Sequence, residues 1–255
     1  MRIVIKVGTS TLAHKTGRMN IFLVEELCKV ISDLKNIGHE VILVSSGAIG
    51  MGMGKLNLKG RPSDIPTKQA CAAVGQCELM YTYDRLFSNY NHTTAQVLIT
   101  GSDLKSEERH QNFENTLARL LELGALPIIN ENDTVATEEI VIGDNDTLGA
   151  IVSVSVKADL LVLLSDIEGL YTADPRKDKN AKLLSRVEEI TPEIMALGEG
   201  NGSELGTGGM KTKLHAAQIA TEAGIDMVIA NGAEPMHLYE IIKGESVGTR
   251  FVGKK

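Results

Sequence analysis

The chain has 255 residues, with 26 Lys and Arg against 33 Asp and Glu, and a formal charge of −7 at neutral pH. A 43% share of hydrophobic residues can bury a large core and excludes a disordered chain. The acidic balance, the absence of Trp and the lack of any Lys/Arg block argue against a nucleic-acid partner, and no apolar run approaches the ~18 residues of a membrane helix.

The length fits one large α/β domain or two small ones. Ile3-Val4-Ile5-Lys6-Val7 reads as a strand with no signal-peptide region before it, so a cytoplasmic location is expected. A helix follows from Asn20, with Val24, Leu27, Ile31 and Leu34 on one stripe and Gly38 as its stop. Val41–Val44 is the second strand. A long helix from about Pro66 to Phe87 is predicted to bury Ala70, Val74, Cys77 and Tyr81. Gln96–Ile99 is a strand, Ser106 caps a helix reaching Leu123, and Leu126–Ile129 is the next strand. The alternation between Thr134 and Ile142 predicts a hairpin. A helix from about Asn145 to Lys157 leads to the apolar strand Leu160–Leu164. After a glycine-rich stretch come a helix from Met210 to Ala223, a strand Ile225–Ala230, a helix Pro235–Ile242 and an edge strand Thr249–Val252. Strands alternating with helices predict a mostly parallel sheet covered on both faces, in one domain whose halves meet near Lys157.

Cys28, Cys71 and Cys77 fit no disulfide or zinc spacing and read as small core residues. The six histidines show no ligand spacing. The chemistry concentrates at four strand ends, where open α/β sheets bind ligands. Lys6-Val7-Gly8-Thr9-Ser10 can present an ammonium beside exposed N–H groups, suited to polyphosphate, or Lys6 simply snorkels at a sheet edge. Ser45-Ser46-Gly47-Ala48-Ile49-Gly50 lets backbone approach an anion, or forms a tight turn. Asn130-Glu131-Asn132-Asp133 and Gly143-Asp144-Asn145-Asp146 offer carboxylates for an amino group or a lysine and an amide for a carboxylate, or a solvated turn. Ser165-Asp166 ends the most apolar strand. Gly206-Thr207-Gly208-Gly209-Met210-Lys211-Thr212-Lys213 enters a helix like a phosphate nest, without being a Walker A motif, or forms a lid.

In this order and spacing, and with Lys68-Gln69, Ala72-Ala73-Val74-Gly75-Gln76 and Gly169–Arg176, these motifs resemble the amino acid kinase family along the whole chain. The resemblance implies a three-layer α/β/α sandwich, with a substrate half of about 1–157 and a nucleotide half of about 158–255. It is nearest to members that phosphorylate the γ-carboxylate of L-glutamate with ATP, the first step of proline biosynthesis. It implies Ser46, Asp133 and Asn145 at the glutamate, and Lys6, Ser165, Asp166, Thr207, Gly208, Gly209, Met210, Lys211, Thr212 and Lys213 at the nucleotide. Lys6 and Lys213 are expected to stabilise the transferring phosphoryl group, with Asp146 holding them rather than acting as a base. Mg2+ should bridge the phosphates with few protein ligands, and none is named. The resemblance further implies feedback by proline, a homo-oligomer and coupling to glutamyl phosphate reductase. Many members carry a carboxy-terminal PUA domain, which is not expected here because the sequence ends at Lys255. Kinases of aspartate, acetylglutamate or a nucleotide monophosphate share the fold. So does a non-catalytic nucleotide sensor.

Overall fold

The structure, a computed structural model, describes residues 1–14, 18–135, 144–199 and 209–254. Strand β1 (Arg2–Val7) is followed by a single turn, α1 (Thr9–Leu12), and by α2 (Ile21–Asn36), capped where the Leu23 N–H donates to the Asn20 side chain at 3.3 Å. Gly38 ends that helix in the left-handed region at φ 97°, where a Cβ would be strained. Next come β2 (Glu40–Ser45), α3 (Ala48–Lys55) and α4 (Ile65–Ser88). The first half closes with β3 (Thr94–Ile99), α5 (Gly101–Lys105), α6 (Glu107–Glu122) and β4 (Leu126–Glu131). The second half runs through α7 (Asn145–Ser155), β5 (Leu160–Ser165), β6 (Arg186–Val187), α8 (Pro192–Ala196), α9 (Met210–Glu222), β7 (Asp226–Asn231), α10 (His237–Ile242) and β8 (Thr249–Phe251).

Among the described residues one eight-stranded sheet has the order β3-β4-β2-β1-β5-β7-β8-β6, and only its β7–β8 pair is antiparallel. Because β1 lies buried between β2 and β5, its residues are apolar on both faces, as a central parallel strand requires. Ile3, Ile5 and Val7 pack with Leu27 and Ile31 of α2, Tyr83 and Phe87 of α4, and Leu238 of α10. Val4 points the other way, among Leu117 of α6, Leu148 of α7 and Leu214 of α9. These two clusters are the two interfaces of a three-layer sandwich, each large apolar side chain contributing roughly 1.5–3 kcal/mol by burial. The period of two puts Lys6 on the face of Val4, under α7 and α9.

Three expectations need correction. Helix α4 buries Cys71, Ala72, Gly75, Gln76, Leu79 and Tyr83, while Ala70, Cys77 and Tyr81 are exposed and Val74 is only half-buried. The cause is a backbone-to-backbone contact with α3. A Cβ on Gly75 would sit 1.7 Å from the Ala48 carbonyl oxygen, and one on Gly52 would sit 1.8 Å from that of Cys71. Cys77 is therefore not a core residue, unlike Cys28 and Cys71. Strand β8 is not at the edge, since the two-residue β6 pairs along its outer side. The predicted hairpin falls mostly on residues 136–143, outside the described residues.

Candidate active site

Strand register brings the carboxyl ends of four strands to one level. Val7 of β1 is opposite Ser45 of β2 and Leu164 of β5, and Val44 is opposite Ile129 of β4. From β1 the chain goes to β2, on to the edge strand β3 and back to β4 between them, then passes through α7 to β5 on the other side of β1. That reversal opens a crevice beside the end of β1.

At its floor Lys6 Nζ lies 2.6 Å from Asp146 Oδ1, and Lys213 Nζ donates to Asp146 Oδ2 at 3.1 Å. Thr212 Oγ1 lies 3.0 Å from the same Oδ2. Lys6, Asp146 and Lys213 are 7%, 1% and 4% exposed, so these are buried ion pairs. Burial pushes the Asp146 carboxyl up, but the ammonium groups of Lys6 and Lys213 more than offset it and hold the group below the ordinary carboxylate range. The three side chains together carry one net positive charge, buried where strand ends and helix starts converge. Lys6 threads between two glycines. A Cβ on Gly8 would lie 3.5 Å from its Nζ, and one on Gly149 would lie 3.4 Å from its Cβ.

Beside this triad is an amide-lined corner. Asn145, the first residue of α7, donates from Nδ2 to Ser46 Oγ at 2.8 Å and to Asn130 Oδ1 at 3.0 Å. Asn130 Nδ2 donates to Gln76 Oε1 at 2.9 Å, and Ser45 Oγ is 2.9 Å from the buried Tyr83 hydroxyl. Asp144 caps α7, accepting from the Thr147 N–H at 2.8 Å, so Asn145 and Asp146 are delivered in the first turn. Glu131 ends β4 and Asp133 follows it. Burial raises the Asp133 carboxyl to about 6. Burial, with Asp133 and Asp144 nearby, raises Glu131 to about 7. Among the described residues no cation offsets these shifts, which suits a ligand that brings a positive charge.

On the other side of the triad, Ser165 Oγ donates to Asp166 Oδ1 at 3.1 Å at the end of β5. Gly209 is the residue before α9, Met210 and Thr212 are half-buried in its first turn, and Lys211 is exposed. Thr207 and Gly208 lie outside the described residues. The triad thus brings together Lys6, Asp146 and Lys213, with Thr212 on the same carboxylate, and the amide corner joins Ser46 to Asn145. No described contact joins Asp133 or Asp166 to either group. Sequence reasoning took Asn130 and Glu131 only as part of a polar cluster offering carboxylates for an amino group or a lysine, and gave Gln76 no role of its own. Asn130 and Glu131 stand in a polar tetrapeptide at a strand end, a signal that was available; Gln76 sits in a helix with none. Among the described residues no three His, Cys, Asp or Glu side chains come together as a metal cage. No described helix is long and apolar enough to cross a membrane.

Residues 1–231 match the profile of the "Amino acid kinase family". A protein of Clostridium perfringens named "Glutamate 5-kinase" is 54% identical over 258 residues, covering 100% of this chain and 96% of that protein. One of Carboxydothermus hydrogenoformans with the same name is 55% identical over 255 residues, covering 100% of this chain and 68% of the relative. The solved structure titled "Carbamate kinase from Giardia lamblia bound to AMP-PNP" superposes with a TM-score of 0.70 at 15% identity, covering 99% of this chain and 98% of that one, a likeness of fold alone.

Proposed function

The chain belongs to the amino acid kinase family, and on that premise we propose that it transfers the γ-phosphoryl group of ATP to the side-chain carboxylate of L-glutamate, giving L-glutamyl 5-phosphate for proline biosynthesis. The observation that carries this reading is the placement, at one level of the sheet, of two lysines clamped on a single buried carboxylate beside an acidic, amide-lined corner. The full-length match to relatives named for that reaction points to the same chemistry.

The roles follow from charge. Asp133 attracts the α-ammonium of glutamate, while Ser46 and Asn145 orient the amino acid. The γ-carboxylate is already ionised at neutral pH, so no base is needed. One of its oxygens forms the new P–O bond as the bond from the γ-phosphorus to the β,γ-bridging oxygen breaks, and ADP departs with that electron pair. Like-charge repulsion between carboxylate and triphosphate is the barrier. Lys6 and Lys213 lower it by facing the transferring oxygens and the β-phosphate, from positions that Asp146 fixes before substrate arrives. Ser165, Asp166 and the segment 207–213 hold the nucleotide. Mg2+ bound with ATP would supply neutralisation of part of the phosphate charge. Asp146, with both oxygens turned to ammonium groups, does not fit as its ligand, and no protein ligand is assigned.

Proline, which shares the α-carboxylate and charged amine but lacks the acceptor carboxylate, would compete at the same corner. A homo-oligomer, a cytoplasmic location and coupling to a reductase that consumes the labile acyl phosphate complete the proposal. The test is Mg2+-dependent ADP release with glutamate, trapped as a hydroxamate by hydroxylamine and compared with aspartate, N-acetylglutamate and UMP. Equal turnover with N-acetylglutamate would sink the substrate assignment, because acetylation removes the charge Asp133 attracts.

A further inference from the structure

We infer that Gln76, on α4, is a positioning residue for the amino-acid substrate: through Asn130 it fixes which atoms of Asn145 and Ser46 face the ligand. The inference rests on the proposed glutamate site and goes one layer behind it.

The backbone N–H of Glu131 anchors the argument, because it can only donate. It donates to the Asn130 side chain at 2.9 Å, which must therefore present Oδ1 there. The same Oδ1 receives Asn145, so Asn145 must present Nδ2. Asn130 is left with Nδ2 toward Gln76, which must present Oε1, at 2.9 Å. The polarity then reaches the substrate side. Asn145 Nδ2 donates to Ser46 Oγ, so that oxygen is an acceptor here and its own hydrogen is available to a carboxylate. The Oδ1 of Asn145 is turned away from Asn130 and Ser46, as an acceptor suited to an ammonium. Gln76 is 7% exposed and Asn130 2%, so water has little access to replace a missing link. Gln76 reaches the end of β4 because the preceding Gly75 lets α4 approach the Ala48 carbonyl of α3 within the space of a Cβ.

The experiment uses the full chain, assayed for glutamate-dependent ADP release. Gln76→Met and Gln76→Leu fill the space without an acceptor and leave Asn130 Nδ2 buried and unpaired. With its partner gone, the Asn130 amide no longer holds Asn145 in one orientation, so the KM for glutamate should rise about tenfold, with kcat and the KM for ATP within about twofold. Gln76→Glu keeps an oxygen facing Asn130 and should stay within about threefold of the parent. In an Asn145→Ala background, Gln76→Met should add less than about twofold, since the atom it positions is gone. Unchanged glutamate KM in both fillers, equal rises for glutamate and ATP, a Gln76→Glu variant as impaired as the fillers, or full additivity with Asn145→Ala would each overturn the inference. A parent chain with no glutamate-dependent turnover would instead overturn the functional reading on which it rests.

Discussion

Replacing Asp146 by Asn leaves shape nearly unchanged and removes the one negative charge between Lys6 and Lys213. In the native site that charge faces ammonium nitrogens at 2.6 and 3.1 Å, and its side chain is 1% exposed. Removing one partner of a buried ion pair costs about 3–5 kcal/mol, because the remaining charge stays desolvated and unpaired. Here the two lysines also repel each other; at an effective dielectric of ~20, unit charges ~6 Å apart repel by about 3 kcal/mol, part of which side-chain relaxation relieves. For a chain of this size each kcal/mol moves Tm by about 2–4 °C, so about 3–5 kcal/mol becomes a fall of roughly 6–20 °C. Differential scanning calorimetry of the ligand-free protein measures it directly. Nucleotide should then stabilise the variant more than the parent, since phosphate oxygens replace the missing anion, and kcat should fall by about 10² or more because the ammonium groups are no longer held in place. A variant with Tm within about 2 °C and kcat within about threefold of the parent would refute the triad as the organising element of the site.

Lys6→Ala and Lys213→Ala should each lower kcat by about 10² or more, read by steady-state kinetics on variants that keep the parent circular dichroism spectrum. The raised carboxyls of Asp133, about 6, and Glu131, about 7, mean that the folded chain binds their protons more tightly than the unfolded one. Stability contributed by these two groups is therefore lost as pH rises from about 4 through 7, while kcat/KM for glutamate should rise over the upper part of that window as the ionised acids attract the ammonium. Asp133→Asn should consequently raise the ligand-free Tm at pH 8 and raise the glutamate KM; a lower Tm there would contradict the sign. Proline should raise the apparent KM for glutamate at constant Vmax, and a fall in Vmax at constant KM, in a glutamate titration at fixed proline, would place it elsewhere.

The sheet was legible because its strands are short β-branched runs bounded by turn residues, and because a central parallel strand needs no alternation to be recognised. The helices' ends were legible from Asn20, Ser106 and Gly38. What failed was rotation about α4. A hydropathy pattern finds the stripe Ala70, Val74, Cys77 and Tyr81, whereas the buried side is built around Gly75, whose value lies in having no side chain against α3. Strand β6, two residues long, is too short for any periodicity, so β8 looked like an edge. In the site, charged and small residues at strand ends and helix starts announced themselves as Lys6, Ser46, Asp146 and Lys213. Gln76 did not. It meets Asn130 across 54 residues of sequence, and only the packing of α4 against α3 and the end of β4 brings the two together.

The position of β1 in the middle of the sheet has a consequence for how the chain is made. Its partner on one side, β2, is synthesised soon after it, but its other partner, β5, begins only at Leu160. Until β7 emerges, the run Leu160-Leu161-Val162-Leu163-Leu164 is an open apolar edge on a growing chain, the kind of segment that pairs with a neighbour's copy of itself. Lys213, needed to complete the triad, also arrives late. Later synthesis covers that edge with β7 and β8, leaving outermost on that side the two-residue β6, which carries the exposed Arg186 beside Glu188. A short, charged rim of this kind offers a second molecule little backbone to extend. The interval in which this edge stays open runs from the emergence of β5 to that of β7, and the covered edge is poorly suited to continuing such pairing.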